Sequence, residues 1–168
     1  YCIANEYMNG TGGGLFSPEG DVTRAQLVTL IYRIENEPAV EFKGTFTDVK
    51  DGKWYSKAIE WAAANKIVEG VGENKFNPDG VITREQIATI LFRYAKAEAG
   101  EGSIEQFPDS SEAHKFAVKA LGWAVEKGLI TGVKTNGVTY LKPLDNASRA
   151  QIAAVIMRYL EGEYKCGE

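Results

Sequence analysis

A four-residue motif with an arginine in second place, here called the tetrad, recurs three times along this chain of 168 residues. It reads TRAQ at 23–26, TREQ at 83–86 and SRAQ at 148–151. Its arginines are Arg24, Arg84 and Arg149, which stand 60 and 65 residues apart. Other residues keep the same register, and these are Pro18, Pro78 and Pro143 before the tetrads and Arg33, Arg93 and Arg158 after them. Repeated units of this size bury little apolar surface alone, so neighbouring units must stack on one another. The pattern therefore predicts an array of three related repeats.

The register divides the chain into a first repeat at residues 1–40, a second at 41–100 and a third at 101–168, which we expect to form one folded module. The third repeat is longer, at residues 134–140 and at the loop 109–112. The first begins at Tyr1 without the opening segment of the other two, so it is incomplete at its N-terminus. Because Tyr1 is not an initiator methionine, we expect the chain to be part of a larger product. Either the chain was trimmed or a neighbouring segment completes the first repeat.

Each tetrad is predicted to begin an amphipathic helix of about 12 to 14 residues, because apolar residues follow it at i, i+3, i+4 and i+7. In the first repeat these are Leu27, Leu30, Ile31 and Ile34. The N-caps are expected at Thr23, Thr83 and Ser148. The glutamine three places later, such as Gln86, can complete a capping box.

An earlier helix is expected at about 53–66 in the second repeat and about 113–128 in the third, with a proline turn between the two helices of each repeat. We predict an all-α fold, in which the three tetrad helices pack their apolar stripes around a common axis with pseudo-threefold symmetry.

Composition excludes several classes of function. A net charge of −4 lacks the basic excess of a nucleic-acid binder, and no apolar run approaches the ~20 residues that span a membrane. The single histidine, His114, and the two cysteines, Cys2 and Cys166, match no zinc spacing, and no residue has the setting of a catalytic nucleophile. We therefore expect no enzyme activity, metal or cofactor. The cysteines are either free thiols or a disulfide that joins the termini, which requires an oxidising compartment.

The tetrad arginines sit where helix electrostatics disfavour them, because a cation in the first turn opposes the positive end of the helix dipole. Two interpretations stay open. The arginines pair with carboxylates such as Asp48 and Asp109 and so fix one repeat on the next. Alternatively, guanidinium and helix N-terminal amides together bind an external carboxylate or phosphate.

Aromatic and glycine residues also repeat in register. Trp54 and Phe116 correspond, and they pack in the core or offer a platform on which a sugar ring stacks. Gly10, Gly70 and Gly132 correspond as well, and we interpret them as helix C-caps that also let a ligand approach the backbone.

Five segments together resemble the S-layer homology domain, and the resemblance covers nearly the whole chain. They are FTDV at 46–49, WYSKAI at 54–59, NKIVEG at 65–70, FNPDG at 76–80 and ITREQ at 82–86. The resemblance implies a three-pronged spindle around a central three-helix bundle. It also implies an extracellular module that holds surface proteins non-covalently on a bacterial cell wall or S-layer. The implied ligand is an anionic secondary cell wall polysaccharide with pyruvylated N-acetylmannosamine, bound in grooves between the prongs.

The family's Thr-Arg-Ala-Glu motif implies that the ligand-contacting arginines are Arg24, Arg84 and Arg149, with an aromatic residue under the sugar ring. This sequence departs from the motif, since glutamine replaces its glutamate at Gln26, Gln86 and Gln151. The third repeat has Phe116 for the tryptophan and Asp145 for the turn glycine. Arg84 is therefore expected to be the principal binding arginine. The alternative is a structural or protein-interaction module of a surface protein that binds no glycan.

Overall fold

The computed structural model describes Met8 and residues 17–162 of the chain. Its helices are α1 at Arg24–Ile34, α2 at Ser56–Ala64, α3 at Arg84–Tyr94, α4 at Val118–Glu126 and α5 at Arg149–Glu161. Two short strands, β1 at Val133–Thr135 and β2 at Val138–Tyr140, lie between α4 and α5, and a 3-10 turn spans Ser110–Glu112. Cys2, Gly10 and Cys166 lie outside the described residues, as does most of the first repeat before its tetrad.

The prediction of an all-α spindle is wrong, because helices and β-structure occur together in this fold. Strands β1 and β2 form an antiparallel hairpin in which Val133 faces Tyr140 and Thr135 faces Val138. The turn residues Asn136 and Gly137 have φ values of 50° and 83°. Two successive positive φ angles suit the twist of a tight hairpin, which explains why the extra residues of the third repeat form strands rather than a loop.

Four isolated β-bridges add to this correction, and they pair Asp21 with Ser148, Thr23 with Val81, Gly72 with Lys75, and Thr83 with Asn146. Three of these bridges involve a residue at the N-terminal boundary of a tetrad helix. The segments that precede the helices are therefore extended and hydrogen-bonded.

The predicted helix starts are confirmed. The Oγ1 of Thr23 accepts a hydrogen bond from the N–H of Gln26 at 3.3 Å, and Gln26 Oε1 accepts one from the N–H of Thr23 at 2.9 Å. Ser148 and Gln151 make the same two hydrogen bonds at 3.3 and 3.2 Å. In α1 and α5, glutamine thus replaces glutamate without loss of the capping box. The tetrad helices have 11, 11 and 13 residues.

The residues group into two units, which are described separately. The first contains the described part of residues 1–82 together with Ser148–Ala153, and in it α1 packs against α2. Its core includes the fully buried side chains of Leu27, Ile31 and Ile59. Burial of this apolar stripe, rather than helix propensity, stabilises so short a helix.

The second unit contains residues 83–147 and the described part of 154–168, and in it α3 packs against α4. Leu91, Leu121 and Leu129 form the centre of its core. Both opening helices, α2 and α4, have nine residues and are shorter than predicted. The boundaries of the three sequence repeats stay a prediction.

Candidate functional site

In the first unit, Arg24 and Asp48 hold the two sides of one buried residue, Phe76. The Nε of Arg24 donates a hydrogen bond to the carbonyl oxygen of Phe76 at 2.8 Å, and its Nη2 donates to that of Glu69 at 3.2 Å. The carboxylate of Asp48 accepts hydrogen bonds from the N–H groups of Phe76 and Asn77 at 2.8 and 2.7 Å. The guanidinium carbon of Arg24 also lies 4.5 Å from the centroid of the Phe76 ring, within the range of a cation–π contact.

The second unit repeats this arrangement around Leu141. The Nε of Arg84 donates to the carbonyl oxygen of Leu141 at 3.0 Å. The carboxylate of Asp109 accepts hydrogen bonds from the N–H groups of Leu141 and Lys142 at 2.8 and 2.7 Å. The interpretation that arginine and aspartate pair directly is therefore corrected: each pair acts on the same peptide segment instead.

The three arginines differ in their surroundings. Arg24 and Arg149 are only 7% and 8% exposed, whereas Arg84 is half-buried. Burial lowers the pKa of the Arg24 guanidinium, and the negative charge of Asp48 opposes that shift. Burial likewise lowers the pKa of Arg84, against the charges of Asp145 and Asp109. Guanidinium groups remain charged at neutral pH despite such shifts, so each site keeps its cation.

Arg84 and Arg24 differ in how their terminal nitrogens are engaged. Its Nη1 and Nη2 make no hydrogen bond within the part of the chain that the structure describes. In Arg24, by contrast, both Nε and Nη2 are engaged with backbone carbonyl oxygens. Arg84 is therefore better able than Arg24 to bind an external anion.

The amides at the start of the tetrad helices are occupied by the protein itself. The N–H groups of Arg24 and Ala25 donate to the carbonyl oxygens of Gly80 and Pro78 at 2.9 and 3.0 Å. Equivalent pairs join Arg84 to Asp145, Glu85 to Pro143, Arg149 to Gly20 and Ala150 to Pro18. These groups have no partner within a helix, and here the proline loops supply it. The hypothesis that helix amides share an anion with the arginine is thus not supported.

The two candidate aromatic residues are exposed, which rules out their packing in the core. Trp54 is 60% exposed and meets the ring of Tyr55 edge-on at 5.1 Å, while Phe116 stacks on His114 at 5.7 Å. Trp54 lines a cleft of about 290 Å³ that includes Arg33 but not Arg24. The structure therefore does not bring Trp54 and the tetrad arginine of the first repeat into one pocket.

Two of the remaining candidates, Gly70 and Gln86, have close contacts within the protein. Gly70 and Gly132 lie beyond the helix ends at Ala64 and Glu126, so they are not the C-caps we predicted. A side chain on Gly70 would lie 2.7 Å from the carbonyl oxygen of Lys75, and this close approach explains the glycine. Gln86 accepts a hydrogen bond from the N–H of Thr83 at 3.4 Å and acts in helix capping.

Sequence reasoning missed a polar contact in the second unit between the buried carboxylate of Glu85 and His114. Glu85 Oε1 lies 2.7 Å from His114 Nδ1, and Glu85 Oε2 accepts from the His114 backbone N–H at 3.0 Å. Its only signal in the sequence was Glu85 itself, which replaces the alanine found at positions 25 and 150.

None of the helices in the described residues is long and apolar enough to cross a membrane. Residues 17–162 and Met8 also hold no group of three or more histidine, cysteine, aspartate or glutamate side chains suited to a metal ion.

A family model described as the S-layer homology domain matches residues 1–28, 45–88 and 106–153. The chain belongs to the S-layer homology (SLH) family. The matched segments contain all three tetrad arginines. They also contain Asp48 and Asp109, the two aspartates that accept backbone N–H groups of the loops. SLH proteins are S-layer and cell-surface proteins of bacteria, and the SLH segment is a cell-surface anchoring module located at the extracellular wall.

Related proteins are much longer than this chain. It is 35% identical over 157 residues to the Surface-layer 125 kDa protein of Lysinibacillus sphaericus, covering 92% of this chain and 13% of that protein. It is 31% identical over 163 residues to the Cellulosome-anchoring protein of Acetivibrio thermocellus, covering 92% of this chain and 35% of that protein. Among solved structures, the undecaheme cytochrome from the S-layer of Carboxydothermus ferrireducens is similar with a TM-score of 0.46 and 18% identity, over 95% of this chain and 23% of that one.

Proposed function

We propose that this SLH segment is a non-catalytic anchor that binds an anionic secondary cell wall polysaccharide, whose pyruvylated amino sugar is the recognised group, in grooves between its repeats. Arg84 carries the proposal. Its guanidinium is oriented by the hydrogen bond from Nε to Leu141, and its two terminal nitrogens are free of partners among the described residues. A guanidinium held in this way presents two N–H groups to a carboxylate, and a pyruvyl ketal supplies that carboxylate on a sugar.

The charge of the chain makes this a local interaction. The net charge of −4 repels an anionic polymer at long range, so attraction must come from individual cations. We therefore expect binding that depends strongly on ionic strength. The exposed side chain of Phe116, in the same unit as Arg84, adds apolar surface for the sugar ring.

Calorimetry with purified wall polymer, before and after chemical removal of its pyruvyl groups, tests the proposal. The wild-type chain is expected to bind only the pyruvylated polymer. Arg84→Ala is expected to weaken binding at least about tenfold. Arg84→Lys is expected to recover part of the loss, because lysine keeps the positive charge but lacks the two parallel N–H groups of a guanidinium. Equal affinity for both polymers, or an Arg84→Ala variant that binds like wild type, would contradict it.

Arg24→Ala is the matched control, because it removes an arginine of the same register that is already engaged with the protein. It removes the hydrogen bonds to the carbonyl oxygens of Phe76 and Glu69 and is expected to destabilise the chain by about 2 to 4 kcal/mol. Arg84→Ala removes one such hydrogen bond and is expected to cost about 1 kcal/mol.

A second candidate function is a structural module that kept the fold without binding glycan. The burial of Arg24 and Arg149 favours it for those two repeats. Under this alternative, Arg84→Ala lowers the melting temperature as much as Arg24→Ala does and leaves any association with the wall unchanged.

A further inference from the structure

A contact in the second unit joins the start of α3 to the segment that leads into α4. The carboxylate of Glu85 is buried, and it accepts a hydrogen bond from the backbone N–H of His114 at 3.0 Å. Its Oε1 also lies 2.7 Å from Nδ1 of the His114 ring. An ionised carboxylate only accepts hydrogen bonds, so the ring hydrogen belongs on Nδ1. The other ring nitrogen, Nε2, is then the one that gains or loses a proton.

His114 in turn orients the aromatic residue of this unit. The rings of His114 and Phe116 stack at 5.7 Å with an angle of 19° between their planes, and this is the only ring contact of Phe116 among the described residues. In the first unit, Trp54 meets the ring of the next residue, Tyr55, whereas the residue after Phe116 is Ala117. His114 thus takes the place that Tyr55 has beside Trp54.

The same contacts lead to the arginine of the proposed site. Glu85 follows Arg84 directly in the first turn of α3, and its carboxylate fixes the ring on which Phe116 stacks. The cation and the aromatic surface of the proposed site are therefore connected through two side chains, Glu85 and His114. The other two tetrads have alanine at positions 25 and 150, so they carry no carboxylate that could make this connection.

The charged side chains of the segments that meet at this contact cancel one another. They are four cations and four carboxylates, namely Arg84, Lys115, Lys119 and Lys142 with Glu85, Asp109, Glu112 and Asp145. Among the described residues, the ring of His114 forms an ion pair with Glu85 only. The charges of Asp109 and Asp145 also act on Arg84 and oppose the approach of an anion to it. A proton on His114 therefore gives a region of balanced charge one net positive charge.

We propose that His114 is a positioning residue of the Arg84 site and makes the affinity of that site for an acidic glycan depend on pH. The ring holds Phe116 in place, and its protonated form adds a positive charge while Glu85 keeps it in the same position. This role rests on the proposed function, because it needs an anionic ligand at Arg84.

The direction of the pH dependence follows from the two charges involved. Histidine changes its charge between about pH 5 and 8, and His114 is the only histidine of the chain. A carboxylate on a sugar stays largely ionised above about pH 5. Binding is therefore expected to tighten as the pH falls through this range, because the ligand keeps its negative charge while the site gains a positive one.

Calorimetry with purified pyruvylated wall polymer at about pH 5.5 and about pH 8, at constant ionic strength, tests the pH dependence. The wild-type chain is expected to bind about fivefold more tightly at the lower pH, the effect of one partly solvated charge several ångströms away. His114→Asn is expected to bind equally at both pH values, because asparagine can donate to Glu85 from a similar position but does not titrate. Lys115→Gln is the matched control, since it removes a neighbouring exposed charge and is expected to keep the ratio of the two affinities.

Glu85→Ala separates positioning from charge. Loss of a carboxylate near Arg84 favours an anionic ligand by electrostatics alone, which predicts tighter binding. Because His114 loses both of its contacts with the carboxylate and no longer orients Phe116, the variant is instead expected to bind about threefold more weakly at about pH 8. Thermal unfolding verifies that the variant is folded at the temperature of the titration.

The single histidine also makes its tautomer measurable by NMR of a chain labelled with ¹⁵N on histidine. The ring hydrogen is expected on Nδ1 in wild type at about pH 8, and this preference is expected to be lost in Glu85→Ala. Equal affinity of wild type at the two pH values, a pH dependence that persists in His114→Asn, or tighter binding by Glu85→Ala would overturn the role of His114 and leave the proposed function standing. Absence of binding at both pH values, or equal affinity for polymer without pyruvyl groups, would contradict the proposed function itself.

Discussion

Asp48 and Arg24 bind the backbone of the same residue, Phe76, an arrangement called here a clamp. The carboxylate of Asp48 accepts a hydrogen bond from the N–H of Phe76, and the guanidinium of Arg24 donates one to its carbonyl oxygen, both at 2.8 Å. Asp109 and Arg84 hold Leu141 in the same way. Phe76 and Leu141 are both fully buried, so each clamp fixes a core side chain through its backbone. The opening motif and the tetrad motif of the repeats thus act on the same loop.

We expect Asp48→Asn to destabilise the chain by about 1 to 3 kcal/mol. Both oxygens of the carboxylate accept backbone N–H groups, and an asparagine side chain can accept only one of them while it turns a donor toward the other. Urea unfolding measures the change. Asp51→Asn is the control, because Asp51 is exposed and makes only a local bond to the N–H of Gly52. Equal stability of the two variants would show that the clamp contributes nothing.

Gly137→Ala is expected to weaken the hairpin by about 1 kcal/mol, because φ at this position is 83°. An added methyl group meets nothing within 4 Å, so the cost is conformational and not steric. Gly137→Asn is the control, since asparagine tolerates positive φ better than alanine. Faster amide hydrogen exchange at residues 133–140 in the alanine variant alone would confirm the turn, and equal exchange in both variants would contradict it.

His114→Ala is expected to destabilise the second unit by about 1 to 3 kcal/mol. The variant leaves the buried Oε1 of Glu85 without its partner at 2.7 Å, although Oε2 keeps the backbone N–H of residue 114. His114→Asn should restore part of the stability, because its amide can donate from a similar position. Thermal unfolding checks both variants, and a His114→Ala chain as stable as wild type would rule out a role for this contact.

Much of the local structure follows from the residues themselves. Thr23 and Gln26 predict a capping box, and the spacing of the apolar residues after them predicts the buried face of α1. The structure contains both features. The hairpin was not predicted although Asn136 and Gly137 stand between the β-branched residues Thr135 and Val138, because residues 134–140 were interpreted only as extra length in the third repeat. Local turn chemistry prevailed there over the periodicity of the repeats.

The candidate site was less predictable, because it depends on which partners the fold supplies. The sequence places Arg24 and Arg84 in equivalent positions, but Arg24 donates to two backbone carbonyl oxygens through Nε and Nη2, whereas Arg84 donates to one through Nε. The hydroxyl groups of Thr29 and Thr89 also differ although they share a register, since only that of Thr89 has a hydrogen-bond partner among the described residues. Such differences arise from packing and rotamer choice.

The central claim, that Arg84 offers its free guanidinium nitrogens to an acidic wall glycan, is tested most directly by NMR of the arginine side chains. The chain, labelled with ¹⁵N on arginine, is titrated with pyruvylated wall polysaccharide. We predict that the Nη resonances of Arg84 shift and become protected from exchange with water, while those of Arg24 remain where they were. Tight binding of the polymer with no change at Arg84 would contradict the account.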